Sequence, residues 1–332
     1  DHLKFDCKLI VVFNKIDLTN ITLISSLKEK YQKQFNDAQF IEISAINEIK
    51  KNGISIETNH LDKEALIENI KDYDVLVVRS ATKVTSEVLE AGAKGNLKLV
   101  IRAGVGIDNI DLDYAEKVGI KVRNTPNASS DSVAELALGH MFSVARHIAV
   151  ANYTMRNGQW NKKQYKGSEI AGKTLGIIGM GRIGKALAGK AEALGMKIIY
   201  TDALGKQDNL AYEFMDLGNL LKVSDYVSLH VPYNKDKGTL ISDREISMMK
   251  DGAVIINCAR GKVVDEEALL KALNSGKLAG AGIDVFEQEP SENMALINHE
   301  RVSVTPHIGA STKEAQERIG KEVAAIVIDF NK

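Results

Sequence analysis

The chain has 332 residues, a formal net charge of −1 and 44% hydrophobic residues, enough for about two domains with an ample core. The near-neutral balance gives no broad basic surface for nucleic acid, and no apolar run reaches the roughly 18–20 residues that a membrane span needs. Cys7 and Cys258 make neither a disulfide framework nor a metal site, and no secretory signal is visible, so the expected compartment is the reducing cytosol. Asp1 is not expected to be the native start, and a further domain downstream of Lys332 is allowed for.

In residues 1–46, LIVVF (9–13) reads as a buried strand leading into NKID (14–17). Helical patterning follows over 19–35, then a strand, FIEIS (40–44), and Ala45. This stretch resembles the last part of a tRNA-modification-type GTPase domain, where N-K-x-D reads guanine and a later S-A pair completes the base pocket. Asn14, Asp17, Ser44 and Ala45 stand in those places. No phosphate loop precedes them, so GTP binding is not expected. A fused fragment, a gene-assembly artefact, or the first βα unit of the next domain are the readings left open.

From residue 47 the pattern is regular α/β. A short helix (47–51) precedes a strand (54–58), then a helix (62–70) with Asp62 as its cap. Strand 75–80, helix 86–93, strand 97–104, helix 109–118 and strand 120–123 follow. Alternation of this kind implies a parallel sheet covered on both faces, with right-handed crossovers. A turn at 124–126 marks the first domain crossing. A long helix is predicted over 132–150, carrying His140 and His147 as core or dimer contacts. An irregular arm follows over 152–169, with the only tryptophan, Trp160.

Residues 173–202 are the organising unit. An apolar strand (174–178) runs into G-x-G-x-x-G at Gly179, Gly181 and Gly184. A helix runs from Arg182 to Leu194, closed by Gly195, and a second strand (196–200) leads to Asp202. Gly179 allows the tight turn, Gly181 leaves room for a pyrophosphate, and Gly184 lets helix and strand pack closely. The helix N-terminus, at Arg182 and Ile183, presents unpaired N–H groups and positive dipole to phosphates. Asp202 is placed to accept from a ribose 2′-hydroxyl and would repel a 2′-phosphate, so the cofactor expected is NAD. A phosphate-loop reading fails because Ala186 stands where a Mg²⁺-binding hydroxyl is needed.

Beyond this unit the pattern predicts a helix (214–222), strand (226–231), helix (243–249), strand (253–259), helix (266–274) and strand (279–286). VSVTP (302–306) follows, then a final helix (312–331) crossing back to the first domain. The expected fold class is α/β with two doubly wound parallel-sheet domains. One is a discontinuous flavodoxin-like substrate domain (47–124 plus 309–332). The other is an inserted Rossmann NAD-binding domain (125–308).

Oxidising a secondary alcohol with NAD requires a base, a cation and a dry hydride path. His307, beside Pro306 and Gly309, is the natural base, because imidazole exchanges protons near neutral pH. Glu289, in FEQEP, is its natural partner, fixing the tautomer and favouring the protonated form needed for ketone reduction. Arg260, ending IINCARG, can grip a carboxylate with two parallel bonds. Taken singly, each has a plainer reading: a structural histidine, a surface acid, a cap for Asp265. Cys258 has no base beside it that would make it a nucleophile.

VRSATKVT (78–85), RAGVGIDNID (102–111), NTPN (124–127) and PHIGASTKEAQ (306–316), with the nucleotide unit, resemble the NAD-dependent D-2-hydroxyacid dehydrogenases over about 47–332. Within them the likeness is to the D-3-phosphoglycerate dehydrogenases. The resemblance assigns catalysis to the same Arg260, Glu289 and His307. It adds Ala259, Arg260, Asp284 (near the nicotinamide carboxamide) and His230 (on the adenine side, read otherwise as structural) as cofactor contacts. It gives the substrate phosphate to Arg79 and Ser80, which end a strand facing the cleft; Arg79 could otherwise be an ordinary surface ion pair. The amides of Ala103, Gly104 and Val105 would take the carboxylate, with Arg102 and Asn127 as weaker candidates. No metal is expected. Family members dimerise through the 152–169 region, so a homodimer or higher homo-oligomer is expected. The implied reaction is oxidation of D-3-phosphoglycerate to 3-phosphohydroxypyruvate, the entry to serine synthesis. Reduction of hydroxypyruvate or glyoxylate, and a non-catalytic NAD(H)-binding corepressor, are the alternatives.

Overall fold

A computed structural model describes residues 8–12, 49–52, 54–59 and 61–331. The described residues fall into two units: those up to Ser129 together with those from Ser311, and Ser130–Ala310.

The first unit is built on five parallel strands: β1 (Lys8–Val12), β2 (Ser55–Asn59), β3 (Val75–Val78), β4 (Leu99–Arg102) and β5 (Lys121–Asn124). Their order is β2-β1-β3-β4-β5, the flavodoxin-like arrangement. Strand residues alternate between two cores. Val75, Val77, Leu99 and Ile101 pack with Ile319, Val323 and Val327 of a C-terminal helix (Lys313–Phe330). Leu76, Val78 and Val100 pack on the other face with Leu66, Val88 and Leu89. Burial on both faces is why these strands read as unbroken apolar runs. β1 sits between β2 and β3, with Leu9 opposite both Ile56 and Val75. It is thus a strand of this sheet; the helix read after it, over 19–35, lies outside the described residues. Asn14, Asp17, Ser44 and Ala45 lie outside the described residues.

Two boundaries differ from expectation in a way that matters for the site. The strand predicted over 75–80 ends at Val78, so Arg79 and Ser80 lie in the turn that follows. The helix predicted over 109–118 starts at Leu112, because the Asp111 carboxylate accepts from the Tyr114 N–H and caps it there.

The second unit holds seven parallel strands: β6 (Thr174–Ile178), β7 (Lys197–Thr201), β8 (Glu213–Phe214), β9 (Tyr226–Leu229), β10 (Ala253–Asn257), β11 (Leu278–Ile283) and β12 (Val302–Val304). Their order is β12-β11-β10-β9-β6-β7-β8. Counted from β6 this is the 3-2-1-4-5-6 order of a Rossmann sheet with one strand added, and it reverses between β6 and β9, where such sheets bind dinucleotides. Leu175, Ile177, Tyr200 and Ile256 face one core; Ile178, Val227, Ile255 and Ile283 face the other.

The helix predicted over 132–150 is two helices, α1 (Ser130–Ala145) and α2 (Ile148–Arg156). His147 between them takes the left-handed conformation (φ 55°), so it is a break rather than a helix residue. Ser168 donates its N–H to Ala145 O, filling the end of α1. The arm predicted as irregular over 152–169 therefore begins as helix. α2 carries no buried residue, and Ile148, Tyr153, Met155 and Trp160 stand exposed. The helix predicted from Phe214 begins at Leu217, where Asp216 caps it. Phe214 instead pairs with Tyr200 in the sheet, their rings edge-on at 5.4 Å.

Candidate functional site

The glycine turn joins β6 to helix α3 (Arg182–Ala193). Gly179 has φ +94°, and a Cβ there would lie 2.6 Å from the His230 carbonyl oxygen, so only glycine fits. A Cβ on Gly184 would lie 2.3 Å from the Gly179 carbonyl oxygen, which is the close helix–strand packing expected. At Gly181, by contrast, a Cβ would meet nothing within 4 Å. Gly181 is also the N-cap of α3 and supplies no side-chain cap, so the first-turn amides at Arg182 and Ile183 have no capping side chain. A dinucleotide phosphate suits that space, because uncapped N–H groups and the dipole favour an anion.

Asp202 follows β7 and accepts from Met180 N–H at 2.7 Å and Leu204 N–H at 2.9 Å. It ties the glycine turn to the neighbouring strand end, where a ribose hydroxyl would sit. Gln207, which sequence reasoning missed, donates to Met180 O at 3.1 Å from the same side. His230 bonds Ser228 Oγ through Nε2 at 2.9 Å, and its buried Nδ1 has no partner among the described residues. Burial pushes its imidazole down to about 4, so it is neutral at physiological pH.

Arg260, Glu289 and His307 follow β10, β11 and β12, three neighbours in the sheet. His307 Nδ1 and Glu289 Oε2 are 2.7 Å apart, and both side chains are partly exposed. Burial alone would raise the Glu289 carboxyl. The His307 bond and charge, the Phe286 N–H donated to Oε1 and the Arg260 charge outweigh it and hold the group below its ordinary value. Arg260 donates from Nη1 to Ala259 O at 2.6 Å.

The turn that presents Arg260 is shaped by Asn257, which is buried and was not singled out in the sequence. Its Nδ2 donates to Arg260 O at 2.9 Å and its Oδ1 accepts from Ala259 N–H at 3.1 Å. The signal was present as an Asx turn in NCAR. Gly261 then brings this loop against the next: a Cβ there would lie 1.7 Å from the Phe286 carbonyl oxygen. That contact holds the Arg260 and Glu289 loops together.

Asp284 is 1% exposed and organises the His307 loop. Its Oδ1 accepts from Thr305 Oγ1 at 2.6 Å and from Ile308 N–H at 2.8 Å, and its Oδ2 accepts from Gly309 N–H at 2.9 Å. Its backbone carbonyl accepts from His307 N–H at 2.8 Å. His307 itself has φ 53°, a left-handed conformation that costs a non-glycine residue of order 1 kcal/mol or more and persists only when its surroundings impose it. Cys258 is buried, its thiol is pushed up by burial and by the Asp284 charge, and it is inert.

In the first unit, the half-buried Arg79 and the exposed Ser80 lie in the turn after β3. Asn109 Nδ2 donates to Arg79 O at 3.0 Å and to Thr82 O at 2.6 Å, clamping that turn. The expected convergence of three amides differs from what is found. Ala103 N–H donates to Val78 O at 2.8 Å and Gly104 N–H to Arg102 O at 2.9 Å, leaving Val105 as the one of the three without a backbone acceptor among the described residues. The reason is strand register: Ala103 continues the ladder of β3 with β4 one residue beyond its end. Arg102 folds over Gly104 and donates from Nη1 to Ala103 O. Asn127 donates to Glu322 Oε1 at 3.0 Å, a tie to the C-terminal helix. Among the described residues no cluster of three metal-ligating side chains occurs, and no helix is long and apolar enough to cross a membrane.

Residues 138–309 match the family described as D-isomer specific 2-hydroxyacid dehydrogenase, NAD binding domain. The chain is 48% identical to a hydroxypyruvate reductase of Thermotoga maritima, over 89% of this chain and 96% of that protein. It is 48% identical to a D-3-phosphoglycerate dehydrogenase of Methanocaldococcus jannaschii, over 80% of this chain but 51% of that protein. The chain thus spans about half the length of the phosphoglycerate dehydrogenases it matches. Among solved structures, a D-lactate dehydrogenase from Aquifex aeolicus complexed with NAD and lactic acid aligns with TM-score 0.77 at 31% identity, covering 96% of this chain and 95% of that chain. A glyoxylate reductase from Paecilomyes thermophila aligns with TM-score 0.78 at 29% identity, covering 98% and 94%.

Proposed function

The chain belongs to the D-isomer-specific 2-hydroxyacid dehydrogenases and carries their NAD-binding domain, and we propose that it is a dehydrogenase for a phosphorylated 2-hydroxy acid, D-3-phosphoglycerate being the substrate that fits best. The observation that carries the catalytic reading is the 2.7 Å His307–Glu289 pair with Arg260 on the adjacent strand end.

Gly179, Gly181, Gly184, the first turn of α3 and Asp202 would hold the dinucleotide, with Ala259, Asp284 and His230 as further lining positions. NAD supplies the hydride acceptor for oxidation or, reduced, the donor for the reverse reaction. His307 removes the hydroxyl proton through Nε2, because Nδ1 is committed to Glu289. Glu289 stabilises the imidazolium that forms, as a carboxylate held ionised can. Arg260 grips the substrate carboxylate and steadies charge on the reacting oxygen. Arg79 and Ser80 take the phosphate; of the amides read as a carboxylate site those of Ala103 and Gly104 are already donated, which leaves Val105, with Arg102 and Asn127 as weaker candidates.

A second reading, reduction of unphosphorylated hydroxypyruvate, is favoured by the length match: the chain covers 96% of the Thermotoga maritima enzyme. NADH oxidation followed at 340 nm with 3-phosphohydroxypyruvate, hydroxypyruvate and glyoxylate separates the two. Preference for the phosphorylated acid by about tenfold or more, lost in Arg79→Ala, is expected; each phosphate contact of this kind contributes on the order of 1.5–3 kcal/mol. Equal or better turnover of the unphosphorylated acids, unaffected by Arg79→Ala, would sink the phosphoglycerate assignment and leave the family chemistry standing. Absent turnover with NADH still bound would favour a corepressor.

A further inference from the structure

Behind the His307 loop lies a row of polar side chains, buried except for the half-buried Thr305, that the proposed chemistry does not use. His140 sits on α1 and is 2% exposed. It reaches the sheet because β11 is glycine-rich: a Cβ on Gly282 would lie 2.4 Å from the His140 Cβ. That close approach sets the imidazole against β12. His140 Nδ1 is 3.0 Å from Ser303 Oγ and Nε2 is 3.0 Å from Thr305 Oγ1. Thr305 Oγ1 in turn lies 2.6 Å from Asp284 Oδ1.

Proton bookkeeping orients this row. Asp284 as a carboxylate only accepts, and its oxygens already take the Ile308 and Gly309 amides. The single hydroxyl proton of Thr305 therefore points to Asp284, and Thr305 Oγ1 must accept from His140. His140 then carries its proton on Nε2, and Nδ1 accepts from the Ser303 hydroxyl. Burial, only partly offset by the Asp284 charge, lowers the His140 imidazole below its ordinary value and keeps it neutral, as this arrangement needs. Each ring nitrogen of His140 has one partner in the row, Ser303 Oγ or Thr305 Oγ1, so removing either hydroxyl strands a buried imidazole nitrogen.

We propose that His140 and Thr305 are positioning residues for His307: an oriented chain from Ser303 through His140 and Thr305 to Asp284 holds the 305–309 loop in the left-handed turn that presents His307 to Glu289. The inference deepens the catalytic reading above and rests on it. Asp284 alone could not do this as firmly. With Thr305 apolar, its Oδ1 keeps only the Ile308 amide, and the His140 Nε2–H is buried without an acceptor. The charged group bonded to His307 is Glu289, from the loop after β11, whose carboxyl in turn feels the Arg260 charge from the loop after β10.

The test is the isosteric pair Thr305→Val and Thr305→Ser, with His140→Gln, which keeps one donor and one acceptor, and His140→Leu, which keeps neither. Thr305→Val and His140→Leu should lower kcat about 10- to 100-fold, the scale of a sub-ångström to 1 Å misplacement. KM and the NADH dissociation constant should stay within about twofold. Thr305→Ser and His140→Gln should recover kcat to within about threefold of the parent. Independently of turnover, the Ile308 and Gly309 amides of the cofactor-free protein should exchange with deuterium about tenfold faster in Thr305→Val and at the parent rate in Thr305→Ser. If the parent itself turns over no 2-keto acid, the catalytic reading fails while the exchange result still tests the clamp. Parent kcat and exchange rates in Thr305→Val, or equal losses in Thr305→Ser, would overturn the inference.

Discussion

At the ends of β10, β11 and β12 the candidate side chains bond to one another or to each other's loops: His307 to Glu289, Asp284 to three groups of the 305–309 loop, Asn257 to the Arg260 turn. At the ends of β3 and β4 the pattern is different. There Asn109 grips backbone carbonyls of the Arg79 turn, and the Ala103 and Gly104 amides donate within the chain. The seven-stranded sheet thus carries side chains already bonded to one another, whereas the five-stranded sheet carries a turn braced through its backbone carbonyls. Both solutions come from parallel strands that deliver loops to one end. On the proposed function the difference has a reason: a catalytic pair must be fixed relative to itself, while an anion site needs only its backbone held still.

The largest expected effect on this comparison comes from Gly261→Ala. A Cβ 1.7 Å from the Phe286 carbonyl must separate the Arg260 and Glu289 loops. Stability should fall by about 1–3 kcal/mol in denaturant unfolding, and kcat/KM by about 100-fold or more. A variant with parent stability and turnover would show that the two loops are not held by this contact.

Asn109→Ala should act more weakly and on the other sheet. Loss of two bonds to the Arg79–Thr82 turn should raise KM for the phosphorylated acid about tenfold and leave kcat within about twofold. A fall in kcat with unchanged KM would erase the proposed difference between the two regions.

The smallest effect is a pH dependence. His230 is lowered by burial to about 4 from an ordinary 6.5. A lowered folded-state value means the unfolded chain binds the proton more readily. The stability from keeping this ring neutral is therefore complete above about pH 6.5 and is lost progressively as pH falls toward 4. Calorimetry from pH 7 to 5 should show a steeper drop in Tm for the parent than for His230→Gln. Parallel curves would remove His230 from the acid sensitivity of the nucleotide-binding unit.

Much of the fold was written in local pattern. Strand 174–178, helix 86–93 and the glycine turn came from apolar runs, caps and punctuation, which act over a few residues and are visible without a partner. The breaks were not visible in this way. His147 ends α1 because Ser168 bonds Ala145 O from beyond α2, and Phe214 joins a strand because Tyr200 lies beside it. Strand ends were overextended for the same reason: Arg79 continues an apolar run but has left the ladder.

For the site, residue chemistry by itself singled out Arg260, Glu289, His307 and the dinucleotide loop, because few side chains suit proton transfer, carboxylate binding and close phosphate approach. Sequence placed His140 only as a core or dimer contact, gave the Ala103 and Gly104 amides to a carboxylate, and did not single out Asn257 or Thr305. Their roles depend on which neighbour each polar group meets across strands far apart in the chain, and a polar atom's partner is settled only when the sheet brings those strands together.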